Sequence, residues 1–169
     1  GYADGGGGTI IQESLDRGSF ETFFLPDGMY ADSLTKTFGT QINGSFGASA
    51  GTDSPGDATF KSLFADAGHE YNVYAGEYYD AAALIMLAMQ AAGSSSSSDL
   101  KSHVMDVANA PGEKIYPGEL AKALKILADG GEVDYVGASA VELIGPGESG
   151  GSYLQYEVQN GKFETVKYR

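Results

Sequence analysis

No cysteine and no tryptophan occur among the 169 residues, and there are only two histidines and ten Lys plus Arg. Without thiols the chain can form no disulfide, run no thiol chemistry and hold no metal through sulfur. The scarcity of cations excludes more. Against the ten stand 23 Asp plus Glu, a formal net charge of −13, which repels a phosphate backbone and leaves no basic stripe for nucleic acid or an anionic membrane. Acidity of this kind is that of a well-solvated surface. His69 and His103 have no carboxylate or second His at ligand spacing, so neither a metal nor a cofactor is expected. Long apolar runs are missing too. The longest, Ala81 to Ala92, falls well short of the roughly 20 residues of a membrane helix and predicts a buried helix instead. The opening Gly1-Tyr2-Ala3-Asp4 has neither an initiator Met nor a charged leader, as expected of a processed or truncated piece.

What is present is a globular composition, 42% hydrophobic, with helical and strand patterns in alternation. Apolar residues recur at helical spacing over Thr9 to Arg17, Ala31 to Phe38, Asp57 to Ala67, Asp80 to Ala92 and Pro117 to Asp129. Each ends at or just before a glycine, and Asp80 stands where an N-cap would. A weaker helix is expected over Asp99 to Val107, after the Ser94 to Ser98 loop. Between the helices, Phe20 to Leu25, Gly44 to Ala48, Tyr71 to Tyr74 and Asp134 to Gly137 read as short strands. This order predicts an α/β fold with largely parallel sheets flanked by helices. The tail differs: Tyr153 to Val158 and Lys162 to Val166 alternate around Asn160-Gly161, the signature of a β-hairpin. Glycine-rich breaks at Gly47 to Thr52 and Gly145 to Gly151 divide the chain into three blocks.

The chemistry-bearing patterns are few. The run Phe20 to Leu25 stops at Pro26-Asp27-Gly28, which reads as a buried strand delivering a carboxylate to its C-terminal end, where open α/β sheets bind ligands. The alternative reading of Asp27 is a turn or cap residue. Gly5 to Gly8 precedes a helix but lacks the Lys-Ser/Thr of a phosphate loop. No Gly-x-Ser-x-Gly elbow is present, and neither Asp53/Asp57 nor Asp129/Glu132/Asp134 matches a calcium loop. An enzyme would have to use Asp27 and Glu77 as acid and base. Tyr71, Tyr74, Tyr78 and Tyr79 bunch before an apolar helix; such rings suit either a cleft for a small amphipathic molecule or core packing.

Three stretches resemble the type I periplasmic solute-binding proteins of ABC transporters, in particular the branched-chain amino acid group. Tyr78-Tyr79-Asp80-Ala81 resembles the family's YDA helix, and Tyr135-Val136-Gly137-Ala138-Ser139 its late Y-x-G-x-S strand. The ending, Tyr156 to Val166, is similar to its closing hairpin. The loop Ala140 to Glu148 departs from the usual pattern.

The resemblance implies an incomplete two-lobe protein. Residues 1–50 and 151–169 would belong to the C-terminal lobe and 51–150 to the N-terminal lobe, with the glycine-rich breaks at the crossings. It implies an extracytoplasmic, periplasmic protein that binds a branched-chain or related amino acid in the interlobe cleft and presents it to an ABC permease. No covalent chemistry is implied. A ligand-sensing regulatory domain of the same fold is the alternative. By the same resemblance Asp27 grips the ligand ammonium, Tyr74 contacts the ligand, and Tyr2 corresponds to a further tyrosine contact.

Overall fold

The computed structural model describes residues 1–145 and 147–169; the expected glycine-rich break at 145–151 includes Pro146, which lies outside the described residues. In chain order the elements are α1 (Gly8–Asp16), β1 (Phe24–Leu25), α2 (Asp32–Phe38), β2 (Phe46–Ala50), α3 (Pro55–Asp66), α4 (Ala75–Ala92) and α5 (Ser97–Ala108). There follow β3 (Glu113–Ile115), α6 (Leu120–Ala128), β4 (Val133–Tyr135), β5 (Leu143–Ile144), β6 (Glu148–Ser149), β7 (Tyr153–Gln159) and β8 (Lys162–Tyr168). They form two compact units, Gly1–Gly51 with Ser152–Arg169, and Thr52–Gly151.

In the first unit the sheet order is β1-β2-β7-β8. β1 and β2 run parallel, whereas β7 pairs antiparallel with both β2 and β8. The β7–β8 hairpin turns at Asn160 and Gly161, both at positive φ (52° and 72°), the geometry that Asn-Gly adopts most readily. Ile11, Leu25, Met29, Leu34, Phe38, Ile42, Tyr156 and Val158 form the core against one face of the sheet. Tyr30, Tyr156 and Phe163 meet ring to ring at 4.5–5.1 Å. Two expectations change here. Only Phe24–Leu25 of the Phe20 to Leu25 run is strand, and Phe20 and Phe24 are exposed. The run is apolar on both faces, but the core covers only one; on the other, Phe24 packs edge-on to Phe46 at 5.7 Å. β2 begins at Phe46 because Gly44, at φ 82°, is still in the turn.

The second unit is built on the parallel pair β3–β4, with α6 as the crossover between them. Leu84, Leu87 and Ala88 of α4 pack with Val107, Ile115, Ala123, Val133 and Tyr135 into one core. β5 and β6 form a small antiparallel ribbon. Here the sequence reading fails in four places. Tyr71 to Tyr74 forms no strand: residues 71–72 are irregular and 73–74 a turn, and Tyr74 takes a left-handed conformation (φ 71°) just ahead of α4. α4 starts at Ala75, so Asp80 is a helix-interior residue and not an N-cap. α6 starts at Leu120, because Gly118 at φ 89° interrupts any helix begun at Pro117. Finally, α4 is not buried all round: Ala83, Leu84, Leu87 and Ala88 face the core, but Ile85, Met86 and Met89 are exposed, since its neighbours cover one side. Among the described residues no helix is long and apolar enough to cross a membrane.

Candidate functional site

In both units the chemistry gathers at the C-terminal ends of a parallel strand pair, where open α/β sheets leave room for a ligand. In the first unit, β1 ends at Leu25 and Pro26-Asp27-Gly28-Met29 follows as a single tight helical turn. The Met29 amide donates to the Pro26 carbonyl at 2.8 Å, and the Tyr30 amide to the Asp27 carbonyl at 2.9 Å. Asp27 keeps an exposed side chain, whose Oδ1 accepts the Gly28 amide at 2.8 Å. Beneath the turn the fully buried Tyr156 donates its hydroxyl to the Leu25 carbonyl at 2.7 Å, pinning the strand end that carries Asp27. Burial pushes the Tyr156 hydroxyl well above its usual pKa, and the nearby Tyr30 and Asp27 charges add to the rise.

Tyr2 joins this turn. A Cβ added at Gly28 would lie 2.9 Å from Tyr2 Cδ1 and 2.9 Å from the Gly1 carbonyl oxygen, so the ring occupies the space a side chain there would need. Glycine at 28 is what lets the ring lie against the Asp27 turn. Gly5 to Gly8 offers no phosphate cradle: the Gly5 and Gly7 amides are already spent on the Tyr2 carbonyl, at 3.1 and 3.2 Å.

In the second unit the organising group is Asp80, a carboxylate 2% exposed. It accepts four hydrogen bonds, from Tyr135 Oη at 2.8 Å, the Ala138 amide at 2.8 Å, and the Ser139 amide and hydroxyl at 2.7 and 2.6 Å. The two motifs Tyr78-Tyr79-Asp80-Ala81 and Tyr135 to Ser139, more than fifty residues apart, are therefore halves of one lock. It holds the first turns of α4 against the C-terminal end of β4. Burial, then the charge of Asp80, pushes the Tyr135 hydroxyl far above its usual pKa. Gly137 turns the loop at φ 62°, and any side chain on it would run into Asp80. α3 starts beside the same loop: a Cβ at Gly56 would strike the Gly137 carbonyl, and the Ser54 hydroxyl reaches the Ala138 carbonyl at 3.5 Å. Tyr79 Oη accepts the Gly118 amide at 3.3 Å.

Of the expected site residues, Asp27 and Tyr2 are thus brought together in the first unit. Tyr74 stands at the start of α4 in the second, in the left-handed conformation that a non-glycine residue adopts only under constraint. Of the four clustered tyrosines, Tyr78 and Tyr79 border an open apolar groove of about 690 Å³ with Phe60, Leu63 and Phe64. The role of Asp80 was missed in the sequence, yet a signal was there: it shares a helix face with Leu84 and Leu87, and a carboxylate on a core face needs partners. Among the described residues no group of three His, Asp or Glu side chains could hold a metal ion.

No protein-family model matches the sequence, and no curated protein matches it. A solved structure does. The chain superposes on a leucine-binding protein, LivK, from Thermotoga maritima MSB8 with a TM-score of 0.67 and 17% identity. The match covers 94% of this chain and 40% of the LivK chain, so this chain spans well under half of that protein's length. Over the part it spans, the chain has the mixed α/β fold of a type I periplasmic binding protein.

Proposed function

We propose that the protein is the extracytoplasmic solute-binding component of an ABC transporter, takes up a small amino acid or related solute, and delivers it to a membrane permease without catalysing a reaction. The observation that carries this reading is the Asp27 turn: an exposed carboxylate at the C-terminal end of β1, with the Tyr2 ring against it, in the fold of a leucine-binding protein. A carboxylate placed there suits an ammonium group, and an aromatic wall suits an apolar side chain. In this reading Asp27 anchors the ammonium and Tyr2 lines its surroundings, and Tyr74, at the start of α4, is a further ligand contact. Closing protein over such a ligand draws its binding free energy from contacts made only in the bound state.

The test is native mass spectrometry of the protein purified at its natural length, followed by calorimetry with the twenty amino acids after the bound solute is stripped. A stoichiometric small amine or amino acid, rebinding with micromolar or better affinity, is the expected result. Protein that carries no solute and gives no heat with any of the twenty contradicts the proposal.

A further inference from the structure

The charge of the chain is divided unevenly between its two units. Thr52–Gly151 holds fifteen of the 23 acidic residues and five lysines, a net charge of −10, whereas the other unit, with eight acidic and five basic residues, carries only −3. The lysines of the second unit do not relieve its excess, because four of the five are already engaged. Lys61 pairs with Asp57 at 2.7 Å, Lys125 with Asp129 at 2.8 Å and Lys114 with Asp134 at 3.6 Å, while Lys122 bridges Glu113 and Glu119 at 2.6 and 3.4 Å. Asp53, Asp66, Glu70, Glu132, Glu142 and Glu148 are exposed and have no Lys or Arg partner among the described residues.

Folding draws these surplus charges together. A compact body of this length has a radius of gyration of about 13 Å, against about 30 Å for the unfolded chain. The screening length in about 0.1 M salt is about 10 Å, so the carboxylates of the folded unit repel one another there, and in about 1 M salt it falls to about 3 Å, which silences all but touching charges. What opposes the repulsion is slight: β3 and β4 are three residues long, β5 and β6 two. Salt weakens little that holds the unit together. The Asp80 lock is built from uncharged donors, and exposed ion pairs contribute little at any ionic strength.

We propose that ionic strength controls the order of the second unit: it opens locally in dilute salt and closes in molar salt, while the first unit is indifferent to the change. The device is the uncompensated carboxylate surface of Thr52–Gly151, and it works whatever solute the protein carries. Tyr74 and the start of α4 belong to the salt-dependent unit, and the Asp27 turn belongs to the indifferent one.

The experiment follows amide hydrogen exchange by mass spectrometry in the protein at its natural length, in about 0.1 M and about 1 M potassium chloride. Wild type is compared with a variant combining Asp66→Asn, Glu70→Gln, Glu132→Gln and Glu142→Gln, which removes exposed charge without touching the Asp80 lock. In wild type, peptides of α4 and β4 should exchange at least about tenfold more slowly at the higher salt, and those of β7 and β8 should change by less than about twofold. In the variant, α4 and β4 should already approach the wild-type high-salt rate in dilute salt. Equal slowing in both units would mark a general effect of salt on burial and overturn the proposal. So would exchange in α4 and β4 that ignores salt, or a variant that keeps the full wild-type response.

Discussion

Replacing Asp80 by Asn is the sharpest perturbation of the second unit, since it changes one atom and almost no volume. Each carboxylate oxygen of Asp80 accepts one hydroxyl and one backbone amide, Tyr135 Oη with the Ala138 N–H on one and the Ser139 hydroxyl with the Ser139 N–H on the other. Whichever oxygen becomes an amide nitrogen, the hydroxyl facing it can rotate and accept, but the backbone N–H cannot. That amide is left without an acceptor in a buried place, at a cost of about 1–3 kcal/mol, and the remaining bonds lose the assistance of the negative charge. Together the loss should be about 3–5 kcal/mol, comparable with breaking a buried ionic contact. Urea denaturation followed by circular dichroism measures it, with an unchanged dependence on denaturant showing that the folded state is the same. A double-mutant cycle with Tyr135→Phe should show coupling, because both residues belong to one network. A loss below about 1 kcal/mol for Asp80→Asn would refute the reasoning.

Gly137→Ala should damage the same lock from the other side: at φ 62° its new Cβ would meet Asp80 Cγ and Tyr135 Cε1 at 2.6 Å. A cost above about 2 kcal/mol in the same denaturation assay is expected. Tyrosine ionisation gives a pH test. Burial raises the Tyr135 and Tyr156 hydroxyls above their ordinary values, so above a pH of roughly 10 the folded chain holds protons that the unfolded chain has released. The stability they contribute is intact below that pH and falls as pH rises beyond it. In an ultraviolet titration of the phenolate band, these two of the eleven tyrosines should ionise only together with unfolding. All eleven titrating in the native state would contradict their burial.

Much of the fold is legible from local chemistry. Asn160-Gly161 specifies its hairpin because few other residue pairs tolerate two successive positive φ angles. The apolar spacing of Leu120, Ala123, Leu124 and Leu127 marks the side of α6 that packs into the core. What escapes the sequence is decided at a distance. β3 is three residues long with Glu113 and Lys114 exposed, so it carries no alternation, and only pairing with β4 makes it a strand. Tyr71 to Tyr74 has strand-forming residues, yet with no partner strand the segment turns into α4. Asp80 looks like a cap when only its neighbours in sequence are considered; its partners lie 55 to 59 residues away. In the candidate site, the Pro-Asp-Gly turn is local and readable. The seating of the Tyr2 ring against Gly28 depends on how α1 and its preceding turn pack, which no local pattern encodes.

The most direct test of the account is the affinity of Asp27→Asn. The protein at its natural length, wild type and variant, is titrated with the solute identified by mass spectrometry. Asn fits the turn and leaves folding unchanged, but it removes the charge that the proposed function sets against the ligand ammonium, a loss of about 3 kcal/mol once that group is enclosed. The account predicts a dissociation constant raised about a hundredfold, with the melting temperature of the ligand-free protein unaltered. Equal affinities in the two proteins would contradict it, leaving Asp27 as a turn residue and nothing more.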